Sequence, residues 1–304
     1  MTFHRGDFRA RLESGAPVLL DGALGTELER RGVDCAPPAW SARAIDAAPT
    51  TLAEIHTEYA LAGAEVLTAC TFRTHARALE RAGIAGRDRL LTQLAVDLAR
   101  EAAGNAAHPV WVAGSVAPLE DCFHPELAPS EMEMEAEHAR HAANLRFAGV
   151  DFAALETMGT AREAVAALRC AREAGLAAGV SFVLRDPEHL LGGHDLGDAV
   201  ARVAELGPLY VGVNCNAPGL STGALRQVRR HWDGPAAVYA NLGRAADAST
   251  WRPGGDPADT QRFRTAARAW VREGARMIGG CCGTAPALIA ALRRDLRAAE
   301  RGRQ

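Results

Sequence analysis

Seven cysteines are spread along the 304 residues, at Cys35, Cys70, Cys122, Cys170, Cys215, Cys281 and Cys282. Two stand side by side in "MIGGCCGTAP", between glycines, and another closes the run "VGVNC". The set is odd and scattered, and the first residues, "MTFHRGDFRARLESG", are charged and lack the apolar core of an export signal. Such a pattern does not read as a disulfide framework, so metal binding or catalysis is the default. A trio made of Cys215, Cys281 and Cys282 would suit Zn²⁺, which takes soft sulfur in tetrahedral geometry. Three protein ligands would leave a fourth position for a substrate, the pattern of a catalytic site. Spacing alone leaves two other readings open. A free cysteine is often a small buried hydrophobe, and a vicinal pair can be a redox pair, although a disulfide between adjacent residues is strained.

Neighbouring residues of a strand point to opposite faces. Cys281 and Cys282 can therefore share one ion only if the backbone turns sharply between them. Gly279, Gly280 and Gly283 are expected to supply the dihedrals for that turn.

Other chemistries are excluded by what the chain lacks. All 34 basic residues are arginine. Without lysine there is no Schiff-base nucleophile and no phosphate-loop lysine. The formal net charge is -3 with both signs interspersed, and no basic stripe supports nucleic-acid binding. No apolar run reaches membrane-spanning length. The expectation is a cytoplasmic protein, with homo-oligomers left open.

Eight apolar runs would position these residues: 17–24, 64–72, 110–116, 150–158, 178–184, 209–215, 236–242 and 275–282. Between them lie stretches of helical periodicity such as "RLLTQLAVDLAREAA" and "AREAVAALRCAREAG", several ending in Ala-Gly or Glu-Gly, a helix stop signal. Apolar strands alternating with helices imply a parallel sheet covered by helices. Eight such units, with 48% hydrophobic residues to fill a core, fit a single (β/α)8 TIM barrel over residues 1–304. An open doubly wound sheet is the alternative, but no G-x-G-x-x-G turn follows the first strand. The Gly/Pro-rich stretch 249–260 reads as a loop after strand seven.

In a barrel the C-terminal strand ends form the active face. Strand one ends at Asp21, two at Thr68 to His75, three at Gly114-Ser115, four at Glu156-Thr157, six at Asn214 to Asn216, seven at Asn241 and eight at Gly279 to Thr284. All three candidate ligands thus fall on one rim, although strands six and eight are not neighbours. His138 and His141, on the charged helix that begins "EMEMEAEH", are expected to be solvated, with that helix's methionines turned inward. His189 and His194 lie on the rim after strand five and are read as incidental.

"GGCCGT" with the upstream "VGVNC" resembles the homocysteine S-methyltransferase family. "DGALGTELERRG", "TFRTH", "GSVAPLEDCF", "LETM" and "YANLG" follow in the family's order, so the resemblance spans nearly the whole chain. It implies a (β/α)8 barrel with Zn²⁺ held by Cys215, Cys281 and Cys282 and with the homocysteine thiol as a further ligand. It implies that Asp21 and Glu156 hold the amino-acid part of homocysteine, with Asn241 at the same rim, and that Trp40 lies near the methyl donor. A compact chain with Thr157 after the strand-four glutamate is similar to members that use S-methylmethionine or S-adenosylmethionine. Betaine-using members carry a tyrosine there and extra C-terminal sequence. Cys70 stands where the family has asparagine and is expected to pack, with a role as an extra metal ligand kept as the alternative. The expected reaction is methyl transfer to L-homocysteine. The alternatives are another thiol or selenol acceptor, or a non-catalytic zinc-storing or thiol-sensing barrel.

Overall fold

The computed structural model describes residues 6–245, 251–253 and 257–301. Eight strands run parallel: β1 Val18–Leu19, β2 Val66–Ala69, β3 Trp111–Val116, β4 Phe152–Met158, β5 Ala178–Phe182, β6 Val211–Asn214, β7 Ala236–Ala240 and β8 Ala275–Gly280. Each pairs with its sequence neighbour except at the seam, where β1 pairs β8 through Val18–Met277 and Leu19–Ile278. A bridge from Leu20 to Val66 closes the circle, with Glu65 N donating to Leu19 O at 2.7 Å and Asp21 N to Val66 O at 3.1 Å. Closure removes both sheet edges and decides against the open-sheet alternative.

One long helix follows each strand: α1 Pro49–Ala62, α2 Asp88–Gly104, α3 Glu131–Ala148, α4 Ala161–Glu173, α5 Leu196–Ala204, α6 Pro218–His231, α7 Pro257–Arg272 and α8 Pro286–Arg301. Their ends are written locally. Ser130 and Glu133 form a reciprocal capping box at the start of α3, and Gly149 ends that helix with φ 79°. No described helix is long and apolar enough to cross a membrane.

Two shells make up the core. The larger one lies between strands and helices. The smaller fills the barrel interior with Val18, Leu20, Val66, Trp111, Phe152, Tyr210, Tyr239 and Met277. A short helix, Phe8–Glu13, seals the end opposite the strand tips. Its Phe8 ring stacks on Phe152 at 4.2 Å and tilts against Trp111 at 5.5 Å.

Two expectations need correction. His138 and His141 are buried, each 2% exposed. With Met134 and Leu145 they follow helical spacing of four, three and four residues, which puts all of them on the inner stripe of α3. The acidic residues between them belong to the outer face, where Met132 is exposed. The stretch 249–260 is not simply a loop either. Trp251–Pro253 pairs antiparallel with Gly243–Ala245, and α7 begins at Pro257; residues 246–250 and 254–256 lie outside the described residues.

The Phe8 plug generates a stability prediction. Phe8→Ala is expected to lower unfolding free energy by about 3 kcal/mol, as for other buried aromatic truncations. Urea denaturation checks it, and a change under about 1 kcal/mol would show that the plug is dispensable.

Candidate active site

The thiols of Cys215, Cys281 and Cys282 converge, with all three Sγ atoms within 4.8 Å of one another and Cys215 and Cys282 3.7 Å apart. Two ligands on a tetrahedral centre at the usual Zn–S distance of about 2.3 Å stand about 3.8 Å apart. The cluster therefore fits a tetrahedral thiolate-bound metal with one position left over, and it could hold a metal ion.

The backbone brings the thiols together by three devices. Cys215 has φ 56°, a left-handed conformation costly for a non-glycine residue. Asn241 Nδ2 donates to Cys215 O at 2.9 Å and fixes that conformation. On the other strand, Gly283 has φ 77°, whereas Gly279 and Gly280 have no positive φ. These two are needed for room instead: a Cβ at Gly279 would stand 2.6 Å from Leu20 Cβ, and one at Gly280 would stand 2.3 Å from Thr284 Oγ1. Thr284 Oγ1 donates to Cys281 O at 2.7 Å and accepts from Ala23 N at 3.1 Å, tying the cysteine turn to the loop after β1. Thr26 Oγ1 accepts from Gly283 N at 3.0 Å.

The thiols cannot all ionise together unaided. Hydrogen bonds from Cys215 and Cys281 hold the Cys282 thiol well below its usual range, while the same contacts push Cys215 up. For Cys281 the Cys215 contact lowers the thiol, but crowding with Cys282 and burial together outweigh it and leave Cys281 raised. One thiolate comes readily, and three require a cation among them.

Beside the thiols lie two carboxylates, Asp21 buried and Glu156 half-buried. Asp21 is 1% exposed, and Thr68 binds it twice, from N to Oδ2 at 2.7 Å and from Oγ1 to Oδ1 at 2.9 Å. Glu156 Oε2 accepts from Ser115 Oγ. Among the described residues neither carboxylate is in an ion pair. Burial, opposed by the Thr68 bonds and aided by Glu156, raises Asp21 to about 8. Burial, opposed by the Ser115 bond and aided by Cys281, raises Glu156 to about 7. Two desolvated carboxylates without a cation make a receptor for one.

The remaining rim residues fall into place around this centre. Trp40 and Phe72 are half-buried with ring centroids 6.3 Å apart, and the Arg73 guanidinium packs 5.4 Å and 5.2 Å from their centres. Part of the Trp40 ring, the residue expected near the methyl donor, is therefore covered by the chain's own cation. Asn241 commits its amide nitrogen to Cys215, leaving Oδ1 buried and unpartnered. Cys70 lies outside the cluster and donates to Ser41 O at 3.4 Å, in keeping with packing. Thr157 has φ 55° and Trp40 φ 47°; with Cys215 they are the positive-φ non-glycine residues described, and all three sit at this rim. His189 is paired with Asp186 at 2.8 Å on the hairpin Leu184–Asp186/His189–Leu190. Sequence reasoning passed over Thr68, Ser115 and Thr284 as partners, although all three stood in the strand-end runs.

Two predictions follow from this geometry. Replacing Cys215, Cys281 or Cys282 by serine is expected to weaken metal binding at least about 100-fold, while Cys70→Ala leaves it within about threefold. Cobalt titration, read by thiolate-to-metal charge-transfer absorption, checks both; equal loss from Cys70→Ala would make Cys70 a ligand. The second concerns pH. Because Glu156 is raised when folded, it holds a proton that the unfolded chain has lost, so its contribution is full below its unfolded pKa and is lost as pH rises through about 7. Glu156→Gln is expected to stabilise the metal-free chain by about 2 kcal/mol near pH 8.5 and far less near pH 5. Equal effects at both pH values, by urea denaturation, would contradict the buried-charge account.

The family model described as homocysteine S-methyltransferase matches residues 18–296. A homocysteine S-methyltransferase of Escherichia coli (strain K12) is 35% identical over 94% of this chain and 97% of its own length. The crystal structure of the homocysteine methyltransferase MmuM from Escherichia coli in a metallated form superposes with a TM-score of 0.84 at 31% identity, covering 95% of this chain and 100% of that one. Its apo form gives 0.75 at 32% identity, over 95% and 99% of the two chains. The chain belongs to the homocysteine S-methyltransferase family and is a methyltransferase.

Proposed function

We propose that this protein catalyses zinc-dependent methyl transfer from a sulfonium donor, S-methylmethionine or S-adenosylmethionine, to the thiol of L-homocysteine, giving methionine. Residues 1–304 would act as one homocysteine-binding barrel domain. The observation that carries this reading is a juxtaposition: three converging thiols that could hold a metal ion beside two carboxylates without a cation, Asp21 buried and Glu156 half-buried. An amino acid with a terminal thiol presents a sulfur at one end and an ammonium at the other, and it matches both halves.

Cys215, Cys281 and Cys282 would hold the ion, which, when bound, supplies the positive charge that keeps an acceptor thiol ionised at neutral pH. Asp21 and Glu156 would receive the ammonium, and the incoming cation would convert both to the charged form. Thr68 and Ser115 would keep those carboxylates aimed inward. The closed barrel beneath excludes water, so the acceptor sulfur meets the donor methyl in a fixed line. The sulfur–methyl bond of the product forms as the donor's sulfur–methyl bond breaks, and the bonding pair stays on the donor sulfur, which becomes a neutral thioether. No protein base is required for that step once the thiol is ionised.

Methionine formation from L-homocysteine with each donor, followed by chromatography, tests the proposal. Turnover with one or both sulfonium donors is expected, lost in Cys281→Ala and after chelation, and restored by Zn²⁺. Glu156→Gln is expected to raise the KM for homocysteine on the order of 100-fold, the cost of one charge-assisted contact. Full turnover by Cys281→Ala would overturn the metal-centred reading.

A further inference from the structure

Arg73 is a buried cation without an anion. It is 4% exposed, and Nη1 alone is engaged, donating to Pro118 O at 3.1 Å and Glu120 O at 2.8 Å. Its Nε is buried without a hydrogen bond, and Nη2 makes none among the described residues. The acids around it are committed elsewhere. Glu120 pairs with Arg77 and Arg81, Glu163 binds Leu119 N and His138, and Asp121 accepts from Phe123 N. Burying a guanidinium costs several kcal/mol unless a partner compensates, and the Nε–Nη2 edge is the one that matches a carboxylate with two parallel bonds.

The position of Arg73 in the fold suggests its partner. Arg73 follows Phe72 at the tip of strand β2 and packs on both rings of the Trp40–Phe72 pair. Arg73 follows the C-terminal tip of β2 and bonds the loop after β3, which places the guanidinium at the barrel end that carries the cysteine cluster. Asp21 and Glu156 define a cation receptor, whereas Arg73 defines an anion receptor at a separate point of the rim. In S-methylmethionine and S-adenosylmethionine alike, four bonds separate the sulfonium sulfur from the carboxylate carbon.

We propose, resting on the transferase reading, that Arg73 anchors the carboxylate of the methyl donor and selects amino-acid sulfonium donors over those without a carboxylate. The guanidinium packs against the rings of Trp40 and Phe72 and is tied down by its Nη1 bonds, so the fork is organised before the donor arrives. A purely mechanical role, strapping the loop that carries Pro118 and Glu120, would be indifferent to the donor's carboxylate.

The test compares S-methyl-L-methionine with its decarboxylated analogue, (3-aminopropyl)dimethylsulfonium, as methyl donors to L-homocysteine. Wild-type protein is expected to favour the carboxylate donor in kcat/KM. Arg73→Gln is expected to reduce that preference on the order of 100-fold, and Arg73→Lys to reduce it less, since the charge stays and the fork is lost. A ratio unchanged in Arg73→Gln, whatever the common loss of rate, would assign Arg73 to the loop strap and overturn the proposal. So would a wild-type protein with no preference between the donors, a result that needs no variant to fold. Calorimetric binding of S-methyl-L-methionine without acceptor separates the two claims. Binding that Arg73→Gln abolishes, in a protein that transfers no methyl group, would keep the anchor and sink the transferase reading. Binding equal in wild type and Arg73→Gln, or absent from wild type, would sink the anchor.

Discussion

The site depends on how closely β8 approaches the loop after β1. A Cβ on Gly279 would stand 2.6 Å from Leu20 Cβ and 2.9 Å from Asp21 O. Only glycine lets the strand lie there, and only that contact allows Gly280 N to donate to Asp21 O at 3.0 Å. The same seam closes the barrel, places Asp21, and starts the turn that exposes Cys281 and Cys282. Barrel closure and site assembly are therefore one event in this chain. Thr284 extends the lock, since its hydroxyl bonds both Cys281 O and Ala23 N.

Electrostatics at the site run against stability. Asp21 and Glu156 are desolvated without a counter-ion, three thiols crowd one point, and three non-glycine residues around the rim hold a left-handed backbone. Each is unfavourable in the empty protein and is offset by the large apolar shells around it. A ligand bringing a cation to the carboxylates and a metal binding the thiols would relieve both strains at once, so ligand affinity and the cost of the empty site are the same free energy seen from two sides.

Much of this was legible in the chain. The strand rhythm gave eight units because each buried strand is a short apolar run between helix stop signals, and the strand tips named the residues that meet. Cys215 and the Cys281–Cys282 pair were visible as candidates for one shared ion, but the devices that bring them together across an intervening strand were not, because they rest on the φ of Cys215 and on contacts far apart in sequence. Gly279 and Gly280 were assigned the right importance for the wrong reason: they provide space, and only Gly283 provides an unusual dihedral. His138 and His141 were misplaced because charge along α3 was weighed above its helical spacing. Arg73 stood in the strand-end run "TFRTH" but with nothing to set it apart among 34 arginines. That it is buried without an anion is recognised only when its neighbours' partners are known.

The central claim is that the thiol end of homocysteine meets the cysteine cluster while its ammonium meets Asp21 and Glu156. Calorimetric titration of the zinc-loaded protein with L-homocysteine, repeated in buffers of different ionisation enthalpy, tests it most directly. The account predicts binding with net proton release, absent in Cys281→Ala. Zinc binding with no response to homocysteine, or homocysteine binding that survives Cys281→Ala with the same proton release, would contradict it.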